Sequence, residues 1–272
     1  MKKQLVKIGF TLLGVCCLFA ACKTSKPREV QKTDPCTENA KLSGGTTFTS
    51  NSGGNVPLSG SPYGYEMWTE KGNNNKLIWY GADRGGGAAF RTEWNNPVIY
   101  LGRVGYFWDE GKPYTAYKNV YCDFNYTRSA NGTAGGYSYI GIYGWSKNPM
   151  IEWYIVDDWF GEGIIGPAIM GNSTTKKGEC VVDGATYFIY EATRPAGSGN
   201  IEGSNKPFPQ YFSIRQTRRQ CGTISITDHF KAWEKLGMKL GNDMYEAKFL
   251  VEAGGGSGWL DASYLTFYMR SK

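Results

Sequence analysis

Two glutamates set among aromatic residues are the side chains whose type and spacing could do chemistry here. Glu152 lies in Tyr143-Gly144-Trp145-Ser146-Lys147-Asn148-Pro149-Met150-Ile151-Glu152-Trp153-Tyr154-Ile155-Val156, and Glu252 follows about a hundred residues later in Phe249-Leu250-Val251-Glu252-Ala253-Gly254-Gly255. Paired carboxyls in an aromatic, uncharged setting suit cleavage of a glycosidic bond, where one protonates the leaving oxygen and the other stabilises or attacks the sugar carbon. Other chemistries find little support. His229 is the sole histidine and reads as local packing, and no GxSxG elbow is present, so a serine triad lacks its parts. With no CxxC or Cys/His cluster in the sequence, neither a metal nor a cofactor is expected.

These glutamates must be held by strands. Short alternating runs separated by Gly, Asn and Pro turns cover Tyr65 to Glu70, Leu77 to Tyr80, Ala89 to Trp94, Val98 to Leu101, Tyr114 to Tyr126, Tyr137 to Tyr143, Ile151 to Val156, Thr186 to Ala192, Gln210 to Gln216, Tyr245 to Glu252 and Tyr264 to Met269. Successive strand side chains point to opposite faces. Met150, Glu152, Tyr154 and Val156 therefore share one face, with Ile151, Trp153 and Ile155 on the other. The same rule groups Tyr139, Gly141, Tyr143 and Trp145 as an aromatic floor. It sets Glu246, Lys248, Leu250 and Glu252 opposite Tyr245, Ala247, Phe249 and Val251. One segment departs from period two: Thr227 to Gly237 has a cap-like start, apolar Phe230, Trp233 and Leu236 at threefold spacing and a terminal glycine, predicting a helix laid against the sheet.

The composition agrees, since 37 glycines, 19 tyrosines, 13 phenylalanines and 9 tryptophans describe an aromatic, turn-rich all-β chain. Regular strand spacing predicts a sandwich or β-jelly roll, two curved antiparallel sheets with one helix, over residues 62–272. Residues 1–21 read as a secretory signal, Met1-Lys2-Lys3 and then Ile8 to Ala21 almost wholly apolar. Cys22 after Ala20-Ala21 resembles the lipoprotein cleavage site, where the cysteine becomes the acylated first residue; an ordinary signal peptide cut near Ala21 is the alternative. Lys23 in place of an aspartate favours the outer membrane, periplasmic or surface-facing. Residues 22–61, poor in large apolar groups, read as a disordered tether. Loss of Lys2, Lys3 and Lys7 with the signal lowers the formal charge from +6 to +3, too little to suggest nucleic acid. Cys36, Cys122, Cys180 and Cys221 are left for disulfides, and spacing leaves the pairing open, Cys180 with Cys221 being one candidate.

The run Tyr143-Gly144-Trp145, Asn148-Pro149 and Ile151-Glu152-Trp153-Tyr154 resembles the nucleophile signature of the family 11 glycoside hydrolases, compact endo-1,4-β-xylanases with a curved β-jelly roll. Collinear matches follow in Tyr65-Glu66-Met67-Trp68-Thr69, Asp183-Gly184-Ala185-Thr186-Tyr187 with Arg194, Gln210-Tyr211-Phe212-Ser213-Ile214-Arg215-Gln216, His229-Phe230-Lys231-Ala232-Trp233 and Val251-Glu252. The resemblance implies that Glu152 is the nucleophile and Glu252 the acid/base. It also implies that Trp68 stacks on a xylose ring, that Tyr143 and Tyr154 hydrogen-bond near the reacting sugar, and that Arg194 and Gln210 hold the substrate and the nucleophile's surroundings. Residues 195–209 would form a thumb over the cleft. The implied partners are xylan or xylo-oligosaccharides and, through Cys22, a membrane; the chain is expected to act as a monomer, with no nucleic acid.

Electrostatics sharpen these roles. Neighbouring donors should lower the Glu152 pKa, while desolvation and the Glu152 charge should raise that of Glu252. Retention of configuration then calls for carboxyls about 5 to 5.5 Å apart. Three departures from the family pattern stand out. Val98 or Ile99 replaces the usual Asp or Asn beside the acid/base, which predicts a near-neutral optimum. Gly199-Asn200-Ile201 replaces the Pro-Ser-Ile thumb tip, predicting a looser thumb, and Ala253-Gly254-Gly255 replaces Gly-Tyr-Gln after the acid/base. A non-catalytic polysaccharide-binding sandwich and a jelly-roll endo-1,4-β-glucanase are the rival readings.

Overall fold

The alternating runs become strands in the computed structural model, which describes residues 33–52, 55–131, 138–161 and 174–271. In chain order these are β1 (Thr46–Phe48), β2 (Val56–Pro57), β3 (Gly64–Glu70), β4 (Lys76–Trp79), β5 (Phe90–Asn95), β6 (Ile99–Phe107), β7 (Asn119–Asn131), β8 (Ser138–Lys147), β9 (Ile151–Asp158), β10 (Thr174–Val182), β11 (Ala185–Arg194), β12 (Phe208–Arg215), β13 (Cys221–Ile224), β14 (Asp243–Ala253) and β15 (Ser257–Arg270). One helix, α1 (Ile226–Lys235), lies where the threefold spacing predicts it. Two sheets result, β1-β4-β5-β15-β7-β13 and β10-β11-β12-β9-β8-β14-β6-β3-β2. Neighbours pair antiparallel except β12 with β9, which run parallel. This is the expected β-jelly roll.

The nine-stranded sheet carries an apolar cluster on each face, and the outer one frames a site. Its inner face sends Met67, Val104, Ile142, Trp153 and Phe249 against Leu77, Phe90, Phe124 and Leu265 of the other sheet. Phe249 meets Phe124 at 5.5 Å and Phe90 at 6.3 Å between ring centres, so aromatic edges knit the two layers. The outer face carries a second cluster, including Tyr139, Tyr143, Trp145, Tyr154, Phe208, Phe212 and Leu250. Helix α1 closes the inner face by setting Phe230 edge-on to Trp153 at 4.9 Å, while the Trp233 indole donates to the Ser213 hydroxyl. His229 is fully buried beside Ser213 and Tyr187, and burial holds its imidazole down at about 3. It is a neutral packing residue, as read from the sequence.

Three expectations need correction. Tyr114 to Tyr126 is not one strand, because Tyr114–Ala116 forms a 3-10 turn before β7 begins at Asn119. The second correction concerns residues 33–61, which are fastened to the domain: β1 pairs with β4, β2 pairs with β3, and the Asn51 amide bonds both backbone groups of Thr69. Adding backbone to an existing sheet edge needs few apolar side chains, which is why composition alone suggested a tether. The disulfide is Cys36–Cys221, leaving Cys180 and Cys122 as free thiols. Cys221 sits on β13 at the edge of the six-stranded sheet, whereas Cys180 lies on β10 at the edge of the other. The signal, Cys22 and the chain up to residue 32 lie outside the described residues.

Candidate active site

Glu152 owes its setting to the β8–β9 hairpin. The turn runs through Asn148 (φ 58°) and a cis Asn148–Pro149 bond, and it places Trp145 opposite Glu152 and Tyr143 opposite Tyr154. Alternation turns Met150, Tyr154 and Val156 outward with Glu152 while Ile151, Trp153 and Ile155 enter the core. Parallel pairing with β12 then sets Gln210 beside Glu152. Glu152 Oε1 accepts from the Tyr143 hydroxyl at 2.8 Å and the Tyr154 hydroxyl at 3.0 Å, and Oε2 accepts from Gln210 Nε2 at 2.5 Å. Trp145 Nε1 donates to the Tyr143 oxygen, so the one phenol proton of Tyr143 is left for Glu152. Burial pushes the Glu152 pKa up, opposed by these three hydrogen bonds and the Arg194 charge. The expected net lowering is therefore not found; desolvation outweighs the donors.

Glu252 stands in a contrasting environment. Its partners across the ladder are Tyr139 on β8 and Leu101 on β6, and its Oε2 is buried with no hydrogen-bond partner among the described residues. Burial first, then the Glu152 charge, pushes the carboxyl up to about 8, with Arg103 and Arg194 pulling the other way. Bulges between Ile140 and Gly141 in the β8–β9 ladder and between Met244 and Glu246 in the β14–β8 ladder interrupt the register, a device that bends and twists strands. Both carboxyls line one cleft of about 870 Å³ on the outer face.

That cleft gathers every catalytic and substrate-binding residue expected from the sequence: Trp68, Tyr143, Glu152, Tyr154, Arg194, Gln210 and Glu252. Ile99 rather than Val98 lines it, and Val98 is 46% exposed. The thumb, residues 195–207 between β11 and β12, brings Gly199, Asn200 and Ile201 to the cleft. Its tip is not loose. The Asn200 amide donates to the Ser198 and Ser204 carbonyls and accepts from the Glu202 and Ser204 N–H groups, at 2.7 to 3.0 Å. An asparagine thus ties by hydrogen bonding what a proline would stiffen by its ring.

Four lining residues escaped the sequence reading: Glu66, Leu101, Arg103 and Tyr245. Strict alternation put Tyr245 with Phe249 on the core face, but the bulge at Met244–Glu246 carries it into the cleft. Arg103 is one charge in the otherwise uncharged run Ile99 to Phe107, and that isolation was the signal available.

A concave jelly-roll face with two unlike carboxyls between aromatic walls defines a glycoside-hydrolase type of site. The model for glycosyl hydrolases family 11 matches residues 61–263, and the chain belongs to that family. It is 47% identical over 211 residues to endo-1,4-beta-xylanase C of Fibrobacter succinogenes, covering 78% of this chain and 32% of that protein. It is 42% identical over 234 residues to endo-1,4-beta-xylanase S20 of Neocallimastix patriciarum, covering 85% and 65%. The chain thus spans less than two thirds of the length of these relatives. Among solved structures, a double-cysteine mutant of ENZbleach xylanase superposes with a TM-score of 0.85 at 53% identity, over 91% of this chain and 96% of that one.

Proposed function

We propose that the chain is an endo-1,4-β-xylanase that cleaves internal bonds of xylan with retention of configuration, Glu152 acting as nucleophile and Glu252 as acid/base. The observation that carries this is the asymmetry of the pair: Glu152 receives three side-chain hydrogen bonds suited to a carboxylate, whereas Glu252 is buried without such partners and holds its proton. Glu152 attacks the anomeric carbon as its bond to the leaving oxygen breaks, and that oxygen takes the Glu252 proton. The glycosyl ester makes Glu152 neutral, so the repulsion on Glu252 disappears. Glu252 then takes a proton from water, whose oxygen attacks the same carbon, freeing Glu152 and restoring both groups. Trp68 supplies a stacking face for a xylose ring, with Arg194 and the thumb lining the same cleft.

A binding module would need no such unlike carboxyl pair. The test is release of reducing sugar from xylan and from carboxymethylcellulose by wild type and Glu152→Gln, with the anomer of the first product read by NMR. Expected are β-anomers from xylan, little from carboxymethylcellulose, and loss of at least about a thousandfold in the variant. Equal release by both proteins, or none by the wild type, removes the proposal; a preference for carboxymethylcellulose would replace it with the glucanase reading.

The signal-like start and Cys22 support export and acylation at that residue, with the chain acting as a monomer at the outer membrane. Cys22→Ser should move the exported protein from the membrane to the soluble fraction. Unchanged partition would refute the anchor.

A further inference from the structure

Four charged side chains lie together beside the reacting carboxyls, and two of them, Glu66 and Arg103, line the cleft. Arg103 on β6 donates through Nε to Glu66 Oε2 at 3.1 Å, with a second bond from Nη2 to the same oxygen, and its Nη1 stands 3.6 Å from Glu246 Oε1. Lys248 pairs with Glu246 and with the Asn55 side chain. Arg103, Glu246 and Lys248 are buried, with side chains 6%, 1% and 0% exposed. Burying ions is costly, and apolar replacements of similar size are often neutral or stabilising, so stability alone is a weak reason for this quartet.

Its placement supplies a better one. On β14, Glu246 pairs in register with Trp145, and Lys248 pairs with Tyr143. The Arg103 guanidinium covers the Tyr143 ring at 4.2 Å from its centre. We propose that Arg103, gripped by Glu66 and Glu246, is a positioning residue of the hydrolytic centre, pinning the Tyr143 ring so that its hydroxyl faces Glu152. A flat guanidinium against a ring face fixes the plane of the ring, and a lysine ammonium cannot reproduce that contact. The formal charges of the quartet cancel, two positive against two negative. Loss of one member leaves an uncompensated charge in a low-dielectric setting close to Glu252. The other titratable or charged groups around Glu252 are Glu152 and Tyr154 on β9, Tyr139 on β8 and Arg194 on β11.

The inference rests on the assignment of Glu152 and Glu252, and two readouts keep the two claims apart. In a double-mutant cycle on xylan, Arg103→Lys should lower kcat about tenfold with KM within about twofold, and the same change in a Tyr143→Phe background should cost less than about twofold. NMR titration of 13C-carboxyl glutamates, which needs no turnover, should find the Glu252 transition raised by Arg103→Gln and lowered by Glu246→Gln, each by about half a unit or more. Should either variant fail to fold, Glu66→Gln at the more open end of the network is expected to lower that transition. An equal cost for Arg103→Lys in both backgrounds, or shifts of the same sign in the oppositely charged variants, overturns the positioning role. Wild type that titrates as described but releases no sugar would instead overturn the hydrolase assignment.

Discussion

Glu152 and Glu252 show how two identical side chains become unlike by placement. Both are buried, yet one is wrapped by Tyr143, Tyr154 and Gln210 and the other has a bare oxygen. With Glu252 pushed up to about 8, activity should hold to near that pH and fall above it as the acid loses its proton. Glu152 is raised as well, which moves the acid limb up and puts the optimum near neutrality, both limbs being properties of the coupled pair. A pH–rate profile on xylan checks this, and a peak below about pH 4.5 would contradict it. Linkage gives a second outcome. A carboxyl whose folded pKa lies above its unfolded value binds more protons when folded, so its contribution falls as pH rises from about 4.5 toward 8. Glu252→Gln should therefore raise Tm relative to wild type, by more at pH 8 than at pH 5. A Tm difference that does not change with pH would show that Glu252 is not strongly shifted.

At the level of elements, period-two alternation was enough to read most of the cleft. It assigned the faces of β8 and β9 residue by residue, because those strands are regular where Tyr143, Glu152 and Tyr154 sit. It failed at Tyr245, where a bulge adds a residue that no pattern of types announces. Arg103 failed for another reason: a lone strand charge is ordinarily solvated, and its burial depends on Glu66 and Glu246 from two other strands. The thumb was misread because a Gly-Asn-Ile tip looks loose until the Asn200 bonds are seen. Those bonds order a surface loop rather than the core. Asn200→Ala should thus lower kcat/KM on xylan about tenfold while Tm moves by less than about 2 °C. A variant with wild-type kinetics would mean that the tip needs no such tie.

For the molecule as a whole, family membership and strand pairing agree on one jelly roll, with the work divided between two layers. Every strand that lines the cleft, from β3 and β6 through β8, β9, β11, β12 and β14, belongs to the nine-stranded sheet. The N-terminal margin was the part least legible in the sequence, since its order comes from edges and a distant cysteine. The Cys36–Cys221 bridge closes a loop of 185 residues and fixes that margin on β13, in the sheet that contributes nothing to the cleft. Asn125 on β7 reinforces it by donating to the Pro35 and Cys36 carbonyls. The described chain therefore starts at an edge of the layer that builds no part of the groove, so cutting the bridge would free a margin and not a strand that carries a reacting carboxyl.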